Sequence, residues 1–146
     1  LTLIDGSDAG EMSDWRDLFG GAFSEVEKGM LLFKDEKPEG YVHSLTFATR
    51  EPVEVKRVNL ILQKDHAGAN RMADRAALLG RLTESDPWET IYEEELSEED
   101  FGPAYYSRYN LEKPVTARYF RLELTQSKAD GDGVTRAPRA VELTIN

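Results

Sequence analysis

The sequence predicts an all-β domain made of two antiparallel sheets packed face to face. Three observations lead there. Apolar and polar residues alternate with a spacing of two in successive short segments, turn residues separate those segments, and no long stretch keeps helical spacing. A strand with one apolar face must bury it against a second layer, so many alternating strands imply a sandwich. The 146 residues suit one domain over 1–146, large enough to fold without covalent staples.

Each element follows from local pattern. Residues 13–19 (SDWRDLF) begin with a cap and make a short helical piece that Gly20 and Gly21 end at once. Val26, Met30 and Leu32 mark a first alternating run, and Leu45 and Phe47 a second. Val53 and Val55 start a run that changes phase and continues as Val58, Leu60 and Leu62, as a bulge inside a strand requires. Residues 69–79 (ANRMADRAALL) hold good helix formers, with Met72, Ala76 and Leu79 on one helical face. The reading adopted there is a short turn at 69–74 followed by a strand around Gly80, flanked by Leu78 and Leu82. Trp88 and Tyr92 lie on the next segment. Phe120, Leu122 and Leu124 mark another strand, and Val141, Leu143 and Ile145 the last.

Loop lengths give a polarity. If strands alternate up and down, connections 20–22, 49–52, 85–87 and 112–114 fall at one end, and all are short. Connections 5–14, 34–40, 64–75, 96–104 and 126–137 fall at the other, and all are long. Long loops carry function more often than short ones, so a binding surface is expected on the long-loop rim.

Composition removes several classes. With 28 acidic and 18 basic residues the formal charge is −10, against the clustered cations that duplex nucleic acid demands. No cysteine is present, which excludes disulfides and thiolate metal sites. No run of about 18 apolar residues suggests a membrane span. The chain has neither an initiating methionine nor a signal-like segment, so it is expected to be a mature or excised domain.

Residues 115–124 (VTARYFRLEL) are similar to the near-terminal strand of the discoidin, or coagulation-factor type C, domain family, with Arg121 between apolar neighbours. Residues 140–145 (AVELTI) resemble its last strand, residues 85–88 (SDPW) its Ser-Asp-Gly-x-x-Trp turn, and residues 52–60 (PVEVKRVNL) the passage from one strand to another. Ile4, Asp5, Gly6 and Ser7, with Trp15, resemble its opening segment. The matches run in order along nearly the whole chain. Pro87 in place of the turn glycine, the missing terminal cysteines and the loop at 64–75 depart from the pattern. The resemblance implies an antiparallel jelly-roll β-sandwich of the galactose-binding-like kind, with Trp88 in the core. It further implies a non-catalytic module that binds sugars, phospholipid head groups or proteins; bacterial examples are commonly appended to glycosidases and other secreted enzymes.

Two constellations bear on function. Asp5, Ser7 and Asp8 offer hard oxygen ligands in a glycine-containing loop, as calcium requires. The resemblance adds Glu142 from the last strand and implies a structural Ca²⁺; the alternative is a plain Asp5–Gly6 turn with Glu142 facing solvent. On the long-loop rim, His66, Asn70, Arg71 and Arg136 supply planar donors for sugar hydroxyls, with Tyr105 the expected aromatic among Phe101, Tyr105 and Tyr106. Trp15 either seals the sandwich or lines the rim. Asp130, Gly131, Asp132 and Gly133 read as a polar turn, and the acidic run 93–100 as a solvated face. No nucleophile elbow, phosphate loop or histidine pair with metal spacing is present.

The expectation is therefore a carbohydrate-binding module of a larger secreted, periplasmic or cell-surface protein, with glycan and neighbouring domains as partners. The alternative is a structural or protein-interaction domain without a sugar site. A free-standing hydrolase has no support in the sequence.

Overall fold

The computed structural model describes residues 1–10, 14–19, 31–66, 69–100, 102 and 104–146; the side chains of Asp17, Asp65, His66, Ala69 and Asp100 are outside the description. Nine strands are found among the described residues. They are β1 (Thr2–Asp5), β2 (Leu31–Leu32), β3 (Val42–Gln63), β4 (Asp65–His66), β5 (Ala69–Asn70), β6 (Ala73–Arg81), β7 (Glu89–Glu95), β8 (Ala104–Gln126) and β9 (Arg139–Ile145). The expected strand through Val26 and Met30 lies outside the described residues except for its end, β2.

The two longest strands organise everything else. β3 and β8 pair antiparallel from Val42 opposite Thr125 to Gln63 opposite Ala104, with register breaks between Ala48 and Val53 and between Val55 and Arg57. At these breaks the long strand pair folds over, so each strand serves both layers. Residues 42–48 and 119–125 form the front sheet with β1, β6 and β7. Residues 53–63 and 104–117 form the back sheet with β9, which pairs with β2. The break after Val55 is the phase shift in the sequence: Val55, Val58, Leu60 and Leu62 are all buried because one residue is absorbed there.

The core lies between the layers. Phe47 and Phe120 stack with centroids 5.5 Å apart, and Leu45, Leu78, Leu122 and Leu124 from the front meet Val58, Leu60, Leu62 and Leu143 from the back. Residues Trp15–Phe19 form a single 3₁₀ turn, begun by the Asp14 carboxylate accepting the Arg16 N–H at 3.0 Å. Trp15 and Phe19 pack on the core, and Leu18 is wholly buried, so this turn closes the sandwich beside β9. The helical alternative at 69–79 does not occur; β4 and β5 make a small hairpin and β6 follows. No helix among the described residues is long and apolar enough to cross a membrane.

Trp88 departs from expectation. It is half-buried on the outer face of the front sheet, with the Arg81 and Arg121 guanidinium groups 4.2 and 4.6 Å from its ring centroid. The cause is a bulge at Ile91: Leu79 pairs with Thr90 but Leu78 with Tyr92. Both Ile91 and Tyr92 are thereby buried, and the parity of Trp88 is reversed.

Candidate functional site

The long loops do converge at one pole. Lys34 N–H donates to Asp8 O (2.9 Å), Gly40 N–H to Gln126 O (2.9 Å), Arg71 N–H to Lys64 O (2.6 Å) and Glu36 N–H to Thr135 O (3.3 Å). The opposite pole holds the fold-over of β3 and β8, where Lys56 N–H donates to Asn146 O at 2.5 Å.

Three of the expected sugar ligands meet on the rim. The Arg71 side chain is only 9% exposed, and its Nη1 donates to Asp35 Oδ1 (2.7 Å) and Ala137 O (3.1 Å). Asp35 also accepts the Ala137 N–H at 2.8 Å, so one carboxylate ties loop 34–41 to both neighbouring segments. Burial works against ionisation of Asp35, but the hydrogen bonds from Arg71 and Ala137 and the Arg71 charge hold its pKa below the usual carboxylate value. Asn70 N–H donates to Asp130 Oδ2 (3.3 Å), and the same oxygen receives Arg136 Nη1 at 2.6 Å. Arg136 Nη2 then reaches Asp132 Oδ2 at 2.6 Å. Together with the Val134 N–H, Arg136 lowers the Asp132 pKa to about 2. Residues 130–134 form the expected polar turn, closed by Gly133 N–H on Asp130 O (2.9 Å), with Gly133 at φ 78° where glycine is favoured.

The remaining two are placed differently. The His66 backbone pairs with Ala69 in the β4–β5 hairpin, and its side chain lies outside the description. Tyr105 is half-buried against the core, and its hydroxyl donates to Glu94 Oε2, which also accepts Tyr92 OH at 2.9 Å. Tyr105 therefore anchors the acidic strand rather than facing the rim. Leu96 is buried at the end of the same strand and donates its N–H to Asp74 O at 2.9 Å.

A second layer of rim groups was not foreseen. His43 is buried, and its Nε2 lies 2.8 Å from Gln126 Oε1; Gln126 Nε2 donates to Ser127 O (3.1 Å) and Arg136 O (2.9 Å). Burial lowers the His43 pKa from its ordinary 6.5, outweighing that hydrogen bond. Asp35 and Asp130 looked like ordinary loop polars in sequence, and only their arginine partners carried a signal; the Gln126–His43 pair carried none.

The calcium set does not fit. Asp5 Oδ1 accepts the Ser7 N–H at 2.9 Å in a local turn. Asp8 is buried with Oδ1 accepting Tyr41 OH (2.5 Å) and Oδ2 accepting Ser44 N–H (3.0 Å), so its carboxylate is held by loop 34–41 and β3 rather than turned toward Asp5 and Ser7 as a shared ligand set. Glu142 sits on β9 opposite Ile61 and accepts Thr144 Oγ1–H at 3.2 Å. Among the described residues no three His, Asp or Glu side chains gather as a metal site would require.

No protein-family model and no curated protein matches the sequence. Solved structures do. Module CBM32-3 from a family 31 glycoside hydrolase of Clostridium perfringens superposes with TM-score 0.69 at 13% identity, over 99% of this chain and 88% of that one. Module CBM32-2 of GH31, bound to GalNAc, gives 0.67 at 13%, over 99% and 95%. The family 32 module of C. perfringens NanJ, in complex with galactose, gives 0.66 at 12%, over 99% and 97%. The chain has the fold of the family 32 carbohydrate-binding modules. That galactose-binding-like jelly roll agrees with the resemblance read from residues 115–124 and 140–145, and it extends over the whole sandwich.

Proposed function

We propose that residues 1–146 form a non-catalytic carbohydrate-binding module of a larger exported protein. The observation that carries this reading is the convergence of the long loops on one pole, locked by Arg71–Asp35 and by Arg136 between Asp130 and Asp132. The sandwich beneath them shares its fold with solved modules bound to galactose and to GalNAc. A locked rim keeps its polar groups in place before the ligand arrives, which lowers the ordering cost of a weak, open site.

In this reading Arg71 positions the loops, while Asn70, Asp132 and Arg136, beside the His66 hairpin, meet the sugar hydroxyls. The ligand is a glycan end or short chain, held without calcium and without chemistry. A glycan array followed by calorimetry tests it. Binding to galactose- or N-acetylgalactosamine-terminated glycans, weakened at least tenfold by Asn70→Ala combined with Arg136→Ala, is the expected result. Silence across neutral and acidic glycans would reject the reading in favour of a protein-interaction domain.

A further inference from the structure

The outer face of the back sheet carries a groove of about 240 Å³ built from strands rather than loops. Its floor is two rows of residues in register across β8, β3 and β9. Tyr106, Ile61 and Glu142 form one row; Arg108, Asn59 and Thr144 form the next.

Three features set this face apart from an ordinary solvated sheet. Tyr106 is 60% exposed, a large flat ring standing beside the half-buried Ile61. Asn59 Oδ1 is buried in the wall of the groove and meets no hydrogen-bond donor among the described residues, an acceptor whose desolvation they leave uncompensated. Arg108 and Glu142 occupy diagonal corners of the array, so their opposite charges select neither an anion nor a cation. Thr144 keeps its hydroxyl on Glu142 and presents a methyl group to the same face.

We propose that this groove is a second carbohydrate subsite, separate from the rim, that takes a neutral sugar ring of a glycan chain. The aromatic ring stacks on the C–H face of the sugar, while the Asn59 carbonyl, the Glu142 carboxylate and the Arg108 guanidinium bond its hydroxyls. A peptide strand does not suit the site. Strand addition uses a sheet edge, here residues 104–117 of β8, whose pairing among the described strands is with β3, and a peptide added there would run alongside Tyr106 rather than across the face that holds Ile61, Asn59 and Thr144. A folded protein partner would need an apolar area far larger than Tyr106 and Ile61 provide. The proposal rests on the carbohydrate reading above but on none of the rim residues.

Methyl-detected NMR titration with galactose, N-acetylgalactosamine and cellotetraose tests it, reading the Ile61 δ1 and Thr144 γ2 signals. Saturable shifts of both signals are expected, and they persist in the rim variant Asn70→Ala/Arg136→Ala. Tyr106→Ala and, independently, Asn59→Ala each weaken that binding at least tenfold; the melting temperature of Tyr106→Ala stays within one or two degrees, since the ring is exposed. Sugars that bind the chain but leave Ile61 and Thr144 unmoved overturn the groove and spare the rim. So does a Tyr106→Ala protein that titrates like the parent. If none of the three sugars perturbs any signal, the groove falls together with the rim.

Discussion

At the fold-over pole, Phe19 meets Phe47 edge-on at 4.9 Å, Phe47 stacks on Phe120, and Ala117 and Val55 are fully buried around them. At the rim pole the chain is held instead by carboxylates, guanidinium groups and one glutamine: Asp35 with Arg71, Asp130 and Asp132 with Arg136, Gln126 with His43. Burial of apolar surface is non-directional and involves no titrating group, so the fold-over pole sets the stability of the sandwich. The rim gives up some of that robustness for exact placement of polar groups, and its order depends on which of them are ionised.

Four experiments break or sharpen that contrast, taken from the largest effect down. Phe47→Ala removes a fully buried ring stacked on Phe120, and denaturant unfolding should register a loss of about 3–5 kcal/mol. Arg71→Ala leaves Asp35 and Ala137 O without their shared donor; because Asp35 is 42% exposed, the loss should be only about 1–3 kcal/mol. Acidification comes next. Buried His43 keeps a pKa below 6.5, so as pH falls past 6.5 the unfolded chain takes up a proton that the folded chain refuses. Melting temperature should therefore decline from about pH 6.5 downward until the folded value is reached, and His43→Asn should flatten that slope. The smallest effect is calcium: since Asp8 is bonded to Tyr41 and Ser44, millimolar calcium or its chelation should move the melting temperature by less than about one degree.

The same contrast explains what could be read in advance. Layered β architecture was legible because burial alternates: the phase change after Val55 is visible in the sequence and reappears as a register break. The pole that gathers the long loops was legible from connection length alone. The direction each rim side chain takes was not. Arg71 turns inward because Asp35, 36 residues away, and Ala137 O wait there, and no local pattern encodes such a pair. Asp8 reads as a metal ligand in a motif, where Tyr41, its hydrogen-bond partner 33 residues on, is invisible. Trp88 was mistaken for core because the bulge at Ile91 leaves no signature in an apolar run. The groove at Asn59 and Tyr106 needed the register of three strands, and Glu142, read as a calcium ligand, belongs to that face instead.

The β3–β8 strand pair shared by both layers governs assembly kinetics. His43 and Gln126 stand 83 residues apart, yet they bond at the rim end of the front half of that strand pair, beside Val42 and Thr125. Neither sheet can be completed until this distant closure happens, and topologies dominated by such pairings refold on the scale of milliseconds to seconds. During that interval the half-made strands expose unpaired edges, the period in which a newly synthesised chain is most exposed to self-association.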